Sequence, residues 1–267
     1  MQIGKLDCHI LSAGTWKGDG GATMGVLPKP LWQKLISCDD KNRVTLALNL
    51  LLIQAEGKNI LIDTGIGNKI SDKVRKIFDP SPWELLENLA KLGLKRTDID
   101  HVILTHLHFD HAGGVAAYFD GNLELTFPQA VHIIQTKEWE IAAQPDELNR
   151  GSYNFADDLQ LLSEKGKIRF IDGEYELLPE IRLELTGGHS EGMQIVWLES
   201  EGKIACYAGD IIPMDAHTHL AVNSAFDLNR QATFLAKKRI LTRLQETNGI
   251  LFFAHDTQKS VKEFRVQ

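Results

Sequence analysis

The chain has 267 residues, 43% hydrophobic and 24% charged, which is ordinary globular usage and excludes collagen-like, fibrous and disordered readings. Lys+Arg 29 against Asp+Glu 36 leaves a formal charge of −7, a surface that repels polyanions, so no nucleic acid partner is expected. No window approaches the ~20 apolar residues that cross a bilayer, and the first residues lack a basic-then-apolar leader, so a soluble cytoplasmic protein with no membrane partner is expected.

In chain order, runs rich in Ile, Val and Leu predict strands over residues 3–11, 44–54 and 59–63. A helix is expected over 71–77. Ser81-Pro82-Trp83-Glu84 then supplies an N-cap, a proline at the first helical position and a capping-box glutamate, ahead of a Leu/Ala pattern that stops near Gly93. A strand over 102–105 and a helix over 111–118 follow, then a strand over 131–135 and helices over 136–143 and 155–164. Four strands, 168–171, 181–186, 193–198 and 203–208, precede a helix over 229–246, with Phe234, Leu235, Leu241 and Leu244 on its expected inward face. A last strand covers 250–253. No linker or low-complexity tract divides this series, so residues 1–267 are expected to form one domain of α/β layers. The three cysteines, Cys8, Cys38 and Cys206, are far apart and never in C-x-x-C spacing, which predicts reduced thiols.

The chemistry is concentrated after the 102–105 strand. His106-Leu107-His108-Phe109-Asp110-His111 holds three imidazoles and a carboxylate in six positions of a chain with ten histidines. Two residues apart in extended backbone, His106 and His108 point the same way, while Asp110 and His111 fall where the chain turns and can face a second point. So dense a polar cluster calls for a cation between its members. Further ligands are available at other strand ends: His189 after two glycines, Asp210 after Gly209, and His255 after Ala254.

This ordered set resembles the metallo-β-lactamase superfamily, and Asp63 in Leu-Ile-Asp-Thr-Gly resembles that superfamily's Asp-x-Gly turn. The resemblance implies a four-layer αββα sandwich with two metal ions at one edge of the sheets. It places His106, His108 and His189 on the first ion, Asp110, His111 and His255 on the second, and Asp210 between them. A histidine at 108 departs from the flavodiiron oxidoreductases, which usually carry glutamate there. Asp210 departs from the cysteine of true class B lactamases. Only a dozen residues follow His255, unlike the C-terminal helical domain of glyoxalase-II-like enzymes, and the acidic balance is unlike the basic arm of RNA-processing members.

The segment 19–30, and Gly209-Asp210-Ile211-Ile212-Pro213 with His217, resemble the N-acyl homoserine lactonase and organophosphate hydrolase branch. That branch implies a hydrolase that opens lactones, a quorum-quenching activity, or cleaves related esters or phosphotriesters. A nuclease and a diiron oxidoreductase of the same fold are the other classes considered. Zinc is the expected metal, since imidazole and carboxylate accept several divalent ions. Two ions sharing a water would lower its pKa toward neutrality and produce a bridging hydroxide. Asp110 would then carry the proton to the leaving group. Some lactonases carry a tyrosine three residues after the bridging aspartate, whereas this chain has Pro213.

Asp63 is expected to orient a ligand histidine. His217 is expected to approach the substrate, and His219 to sit in an exposed loop. Trp16, Met24, Phe109 and Phe226 are candidates for an apolar pocket. The apolar segment 26–36 is expected to pack inside the protein or against a second subunit, as in a homodimer.

Overall fold

Leu50 and Leu52 point to one face of their strand and Leu51 and Ile53 to the other, and all four are buried. A strand with two apolar faces needs cover on both sides. The computed structural model, which describes residues 1–265, supplies it with two sheets back to back and helices outside.

The strands, in chain order, are β1 (Gln2–Ile3), β2 (Leu6–Asp19), β3 (Arg43–Ala55), β4 (Lys58–Ile62), β5 (His101–Ile103), β6 (Ala116–Phe119), β7 (Asn122–Leu125), β8 (Val131–Gln135), β9 (Lys167–Ile171), β10 (Tyr175–Leu178), β11 (Ile181–Leu185), β12 (Gln194–Ser200), β13 (Lys203–Tyr207), β14 (Ile250–Phe252) and β15 (Val261–Glu263). One sheet runs β1-β2-β3-β4-β5-β8-β9, antiparallel as far as β4 and parallel beyond it. The other runs β10-β11-β12-β13-β14-β15, with β13 and β14 parallel. Between the sheets lie Leu51, Ile53, Ile62 and Ile103 from the first and Leu183, Val196, Tyr207 and Phe252 from the second. Leu85, Leu89 and Leu162 of outer helices cover the far face of the first sheet, and Ala236, Ile240 and Leu244 cover that of the second. The layer order is therefore αββα.

Local signals decide some helix starts. Ser71 Oγ accepts the Val74 N–H at 3.2 Å and opens Asp72–Phe78, and Asn229 Oδ1 accepts the Ala232 N–H at 3.0 Å and opens Arg230–Glu246. Elsewhere tertiary contacts override them. Ser81 does not cap its helix, because its Oγ accepts the Thr15 N–H at 2.8 Å, and the helix begins only at Leu85. The expected 111–118 helix is one turn, Phe109–Ala112. There Gly113 and Gly114 press against backbone, so that a Cβ at Gly113 would lie 2.3 Å from Phe109 O and 2.5 Å from Ile66 O. The chain then enters β6. On the long helix Leu235 is 55% exposed, and Ala236, Lys237 and Ile240 take the inward positions assigned to it and Phe234. Strands β6, β7, β10 and β15, short or at sheet edges, escaped the pattern reading. Within 26–36 Trp32 is buried, whereas Val26, Leu31 and Leu35 are exposed. The three cysteines are free. Among the described residues no helix is long and apolar enough to cross a membrane.

Candidate metal centre

The carboxyl ends of β4, β5, β13 and β14 meet at one edge of the sandwich. Asp63 follows β4, the 105–111 run follows β5, Asp210 follows β13 and His255 follows β14, while the turn between β11 and β12 brings in His189. Ligand atoms in three overlapping groups each lie within 4.8 Å of one another: His106, His108 and His189; His106, His111 and Asp210; Asp110, His111 and His255. Asp210 reaches both sides, with Oδ2 3.3 Å from His189 Nε2 and Oδ1 3.2 and 3.0 Å from the Nε2 atoms of His111 and His255. Asp110 Oδ2 lies 3.5 Å from His255 Nε2.

The hydrogen bonds on the far sides of the rings assign the tautomers. His255 Nδ1 lies 2.7 Å from the Ala47 carbonyl, His111 Nδ1 2.9 Å from Asp63 Oδ2, and His189 Nδ1 2.9 Å from Asp227 Oδ1. All three partners can only accept, so these rings donate from Nδ1, and in the neutral ring Nε2 is a bare lone pair. His106 Nδ1 lies 3.1 Å from Thr105 Oγ1, whose own proton serves Asp63, and the buried His106 Nε2 has no partner. Two bare nitrogens then face each other, His111 Nε2 and His255 Nε2 at 3.1 Å, and His189 Nε2 lies 3.1 Å from His108 Nδ1. Asp210 Oδ1 is likewise buried without a hydrogen-bond partner. Converging lone pairs of this kind repel unless a cation lies among them, and a nitrogen and carboxylate donor set suits divalent transition metals. The residues therefore fit divalent metal.

Electrostatics agree. Burial holds His106 and His108 well below the ordinary imidazole range. Burial also opposes charge on His111, but Asp110, Asp210 and Asp63 hold it well above that range. Asp210, despite burial, is held well below the carboxylate range by His255, His111 and His189. The site thus demands positive charge, and protons take that place when no ion does.

Several supporting groups carry no signal in the sequence. Glu138 is buried at the start of Thr136–Ala143 and accepts four hydrogen bonds, from Leu107 N, Tyr153 Oη, Ser190 Oγ and Gly192 N, so it ties together the two loops that carry His106, His108 and His189. The Tyr153 ring stands edge-on to His108, with centroids 4.9 Å apart. Asp63, which was expected to orient a histidine, sits at φ +61° and accepts from both His111 Nδ1 and Thr105 N.

A cavity of about 370 Å³ opens above the cluster. His108, Asp110, His189, Asp210 and His255 form its floor, Trp16, Phe78, Phe109, Leu148, Met214 and Phe226 make an apolar wall, and Asp19, Thr23, Ser152 and Ser224 add polar groups to the lining. Trp16, Phe78 and Phe109 pack with centroids 5.5 Å apart. Met24 is fully buried elsewhere, a correction to its place among the pocket candidates. Among the described residues no Lys or Arg lines this cavity. His217 is in its wall, with Nε2 donating to the Thr23 carbonyl at 3.0 Å, and burial with Lys237 nearby pulls its pKa down to about 4. It is a neutral ring whose Nδ1 has no partner. His219 is exposed and lines a different cleft.

Comparison with known proteins agrees with this architecture. The metallo-beta-lactamase superfamily model matches residues 45–255. N-acyl homoserine lactonase AiiA of Bacillus thuringiensis subsp. kurstaki is 27% identical over 221 residues, 78% of this chain and 80% of that protein. Among solved structures, a probable metal-dependent hydrolase from Staphylococcus aureus superposes with a TM-score of 0.90 at 30% identity, covering 100% of this chain and 99% of that one. AidC, a dizinc quorum-quenching lactonase in complex with a product, N-hexnoyl-L-homoserine, superposes with a TM-score of 0.80 at 23% identity over 100% of this chain and 93% of its own, a likeness of fold. The matched span runs from within β3 to the histidine that follows β14, and on that ground the chain belongs to the metallo-beta-lactamase superfamily and is a metal-dependent hydrolase.

Proposed function

We propose that this protein is a dinuclear hydrolase that opens lactones, with N-acyl homoserine lactones the leading substrates and quorum quenching the consequence. The observation that carries the reading is the combination of a cation-demanding floor with an aromatic and aliphatic cavity lined, among the described residues, by no Lys or Arg. Such a cavity favours a neutral substrate with an apolar group over an anionic phosphodiester or β-lactam carboxylate. The lactonases of Bacillus thuringiensis among its relatives support the same choice. Neutral esters and phosphotriesters fit the same cavity and form the second reading.

His106, His108 and His189 would hold one ion, Asp110, His111 and His255 the other, and Asp210 would span both. When bound, divalent ions, zinc first, would lower the pKa of a water toward neutrality and offset the charge that develops on the scissile oxygen. The residues do the rest. Attack of the water oxygen on the lactone carbonyl carbon breaks the ring carbon–oxygen bond, and the water's proton passes by way of Asp110 to the leaving alkoxide. The neutral His217 ring, its Nε2 proton committed to Thr23, enters as a hydrogen-bond acceptor at Nδ1 and not as an acid. The apolar wall around Phe109 and Phe226 would hold an acyl chain. We take residues 1–267 as one catalytic domain acting in the cytoplasm. The exposed Val26, Leu31 and Leu35 support pairing of two copies, which sedimentation of the purified protein checks.

The test is a panel of N-acyl homoserine lactones, simple esters and a phosphotriester, with metal content measured on the same sample and His106→Ala as control. Lactone turnover with two metals per chain, lost in the variant, is the expected result. Full metal loading without lactone turnover would refute the lactonase assignment.

A further inference from the structure

The segment between residues 220 and 229 does two things at once. Asp227 Oδ1 accepts the His189 Nδ1–H at 2.9 Å, and the residue before it, Phe226, stands 48% exposed on the rim of the cavity. The Asp227 side chain is 1% exposed, a costly place for a carboxylate without compensation. Compensation comes from Lys237 on Arg230–Glu246, a fully buried lysine whose ammonium donates to the Val222 carbonyl and feels the charge of Asp227. Burial pulls the Lys237 ammonium down to about 8, and Asp227 works against that pull.

The rest of the segment is tied to the same place. Asn223 Nδ2 donates to Asp227 Oδ2 at 3.3 Å. Leu228 N and Asn229 N donate to the carbonyls of His189 and Gly188 at 3.2 and 2.8 Å. On its other side Ala225 N donates to the Ala22 carbonyl at 2.8 Å. One short segment therefore links the His189 turn to the cavity rim, and the Asp227 side chain is its hydrogen bond to the three-histidine group.

A carboxylate on the far nitrogen of an imidazole fixes its tautomer and strengthens it as a donor, and losing such a partner lowers metal affinity by about 10–100-fold. We propose that Asp227, held in place by Lys237, is a positioning residue for the ion bound by His106, His108 and His189, so that retention of this ion depends on the segment that also forms the cavity rim. The inference rests on the two-ion reading above. Because Asp227 touches one imidazole of one group, its loss should weaken one ion and spare the other.

The experiment loads wild type, Asp227→Asn and Lys237→Met with Zn2+ and strips them with graded chelator, following zinc per chain, while melting of the metal-free proteins reports on the fold. The amide oxygen introduced by Asp227→Asn can still accept from His189, so the substitution removes the charge and keeps that hydrogen bond, while the new NH2 gives up the bond from Asn223 Nδ2. Expected is a wild type that holds two ions and an Asp227→Asn protein that loses one of them at about 10–100-fold lower chelator with the other unchanged, even where loss of the charge opposite Lys237 lowers the metal-free melt. Lys237→Met should shift the same ion in the same direction. Two ions retained as in wild type would overturn the inference, and so would parallel weakening of both ions together with a lowered metal-free melt. A wild type that loads fewer than two ions overturns the two-ion reading, and this inference with it, before any variant is made.

Discussion

Replacing Glu138 by Gln tests whether the two ligand loops depend on a group that carries no metal signature. The carboxylate receives Leu107 N at 3.0 Å and Tyr153 Oη at 2.9 Å on Oε1, and Ser190 Oγ at 2.6 Å and Gly192 N at 3.2 Å on Oε2. In Glu138→Gln one of these oxygens becomes an NH2 donor. Hydroxyls can rotate and accept from it, whereas a backbone N–H cannot. Whichever way the amide sits, either Leu107 N or Gly192 N is left buried without an acceptor, at about 1–3 kcal/mol, and the remaining bonds lose the strengthening of a charged acceptor. A total of about 3 kcal/mol corresponds to a melting temperature lower by roughly 6–12 °C for a domain of this size. Because Leu107 lies between His106 and His108, and Ser190 follows His189, zinc per chain should fall along with stability. Thermal melting and metal analysis of the zinc-loaded variant are the assays. A variant that melts within about 2 °C of wild type and keeps both ions would refute the reasoning, since it would leave no place for the unsatisfied N–H.

Three further outcomes follow from the same structure. His132 is fully buried in β8, and burial pulls its pKa from 6.5 to about 4, so the unfolded imidazole takes up a proton that the folded one refuses. Stability is therefore expected to fall by about 3 kcal/mol as pH drops from about 6.5 toward 4, and chemical denaturation of His132→Leu across that range should show a flatter acid limb. Gly188, at φ +93°, would bring a Cβ within 2.7 Å of Thr233 Oγ1 and 2.8 Å of Thr233 N, so Gly188→Ala should displace the His189 turn and cost at least about 2 kcal/mol by thermal melting, with loss of zinc. Phe226→Ala should raise KM for a long-chain lactone about tenfold, some 1.4 kcal/mol of lost apolar burial, with little change in kcat; an unchanged KM would remove Phe226 from the acyl site.

How much of this was legible beforehand follows from where each signal resides. The histidine and aspartate run from His106 to His111 is local: six consecutive residues carry it, and its position after an apolar strand is readable from spacing alone. Strands such as Val131–Gln135, and helices opened by Ser71 or Asn229, are readable for the same reason, since β-branched runs and side-chain caps act within a few residues. Only the tertiary structure decided the rest. Ser81 could have capped a helix until Thr15 claimed its oxygen, and Leu235 suits an inward face until the neighbouring sheet fixes the helix's rotation and exposes it. Glu138 and Asp227 are ordinary acids in the sequence, and the Ala47 carbonyl that sets the His255 tautomer belongs to a residue with no polar side chain. Hydrogen bonds between residues 31 to 208 positions apart leave no periodicity or spacing to read, because their partners are chosen by how strands and loops meet in space.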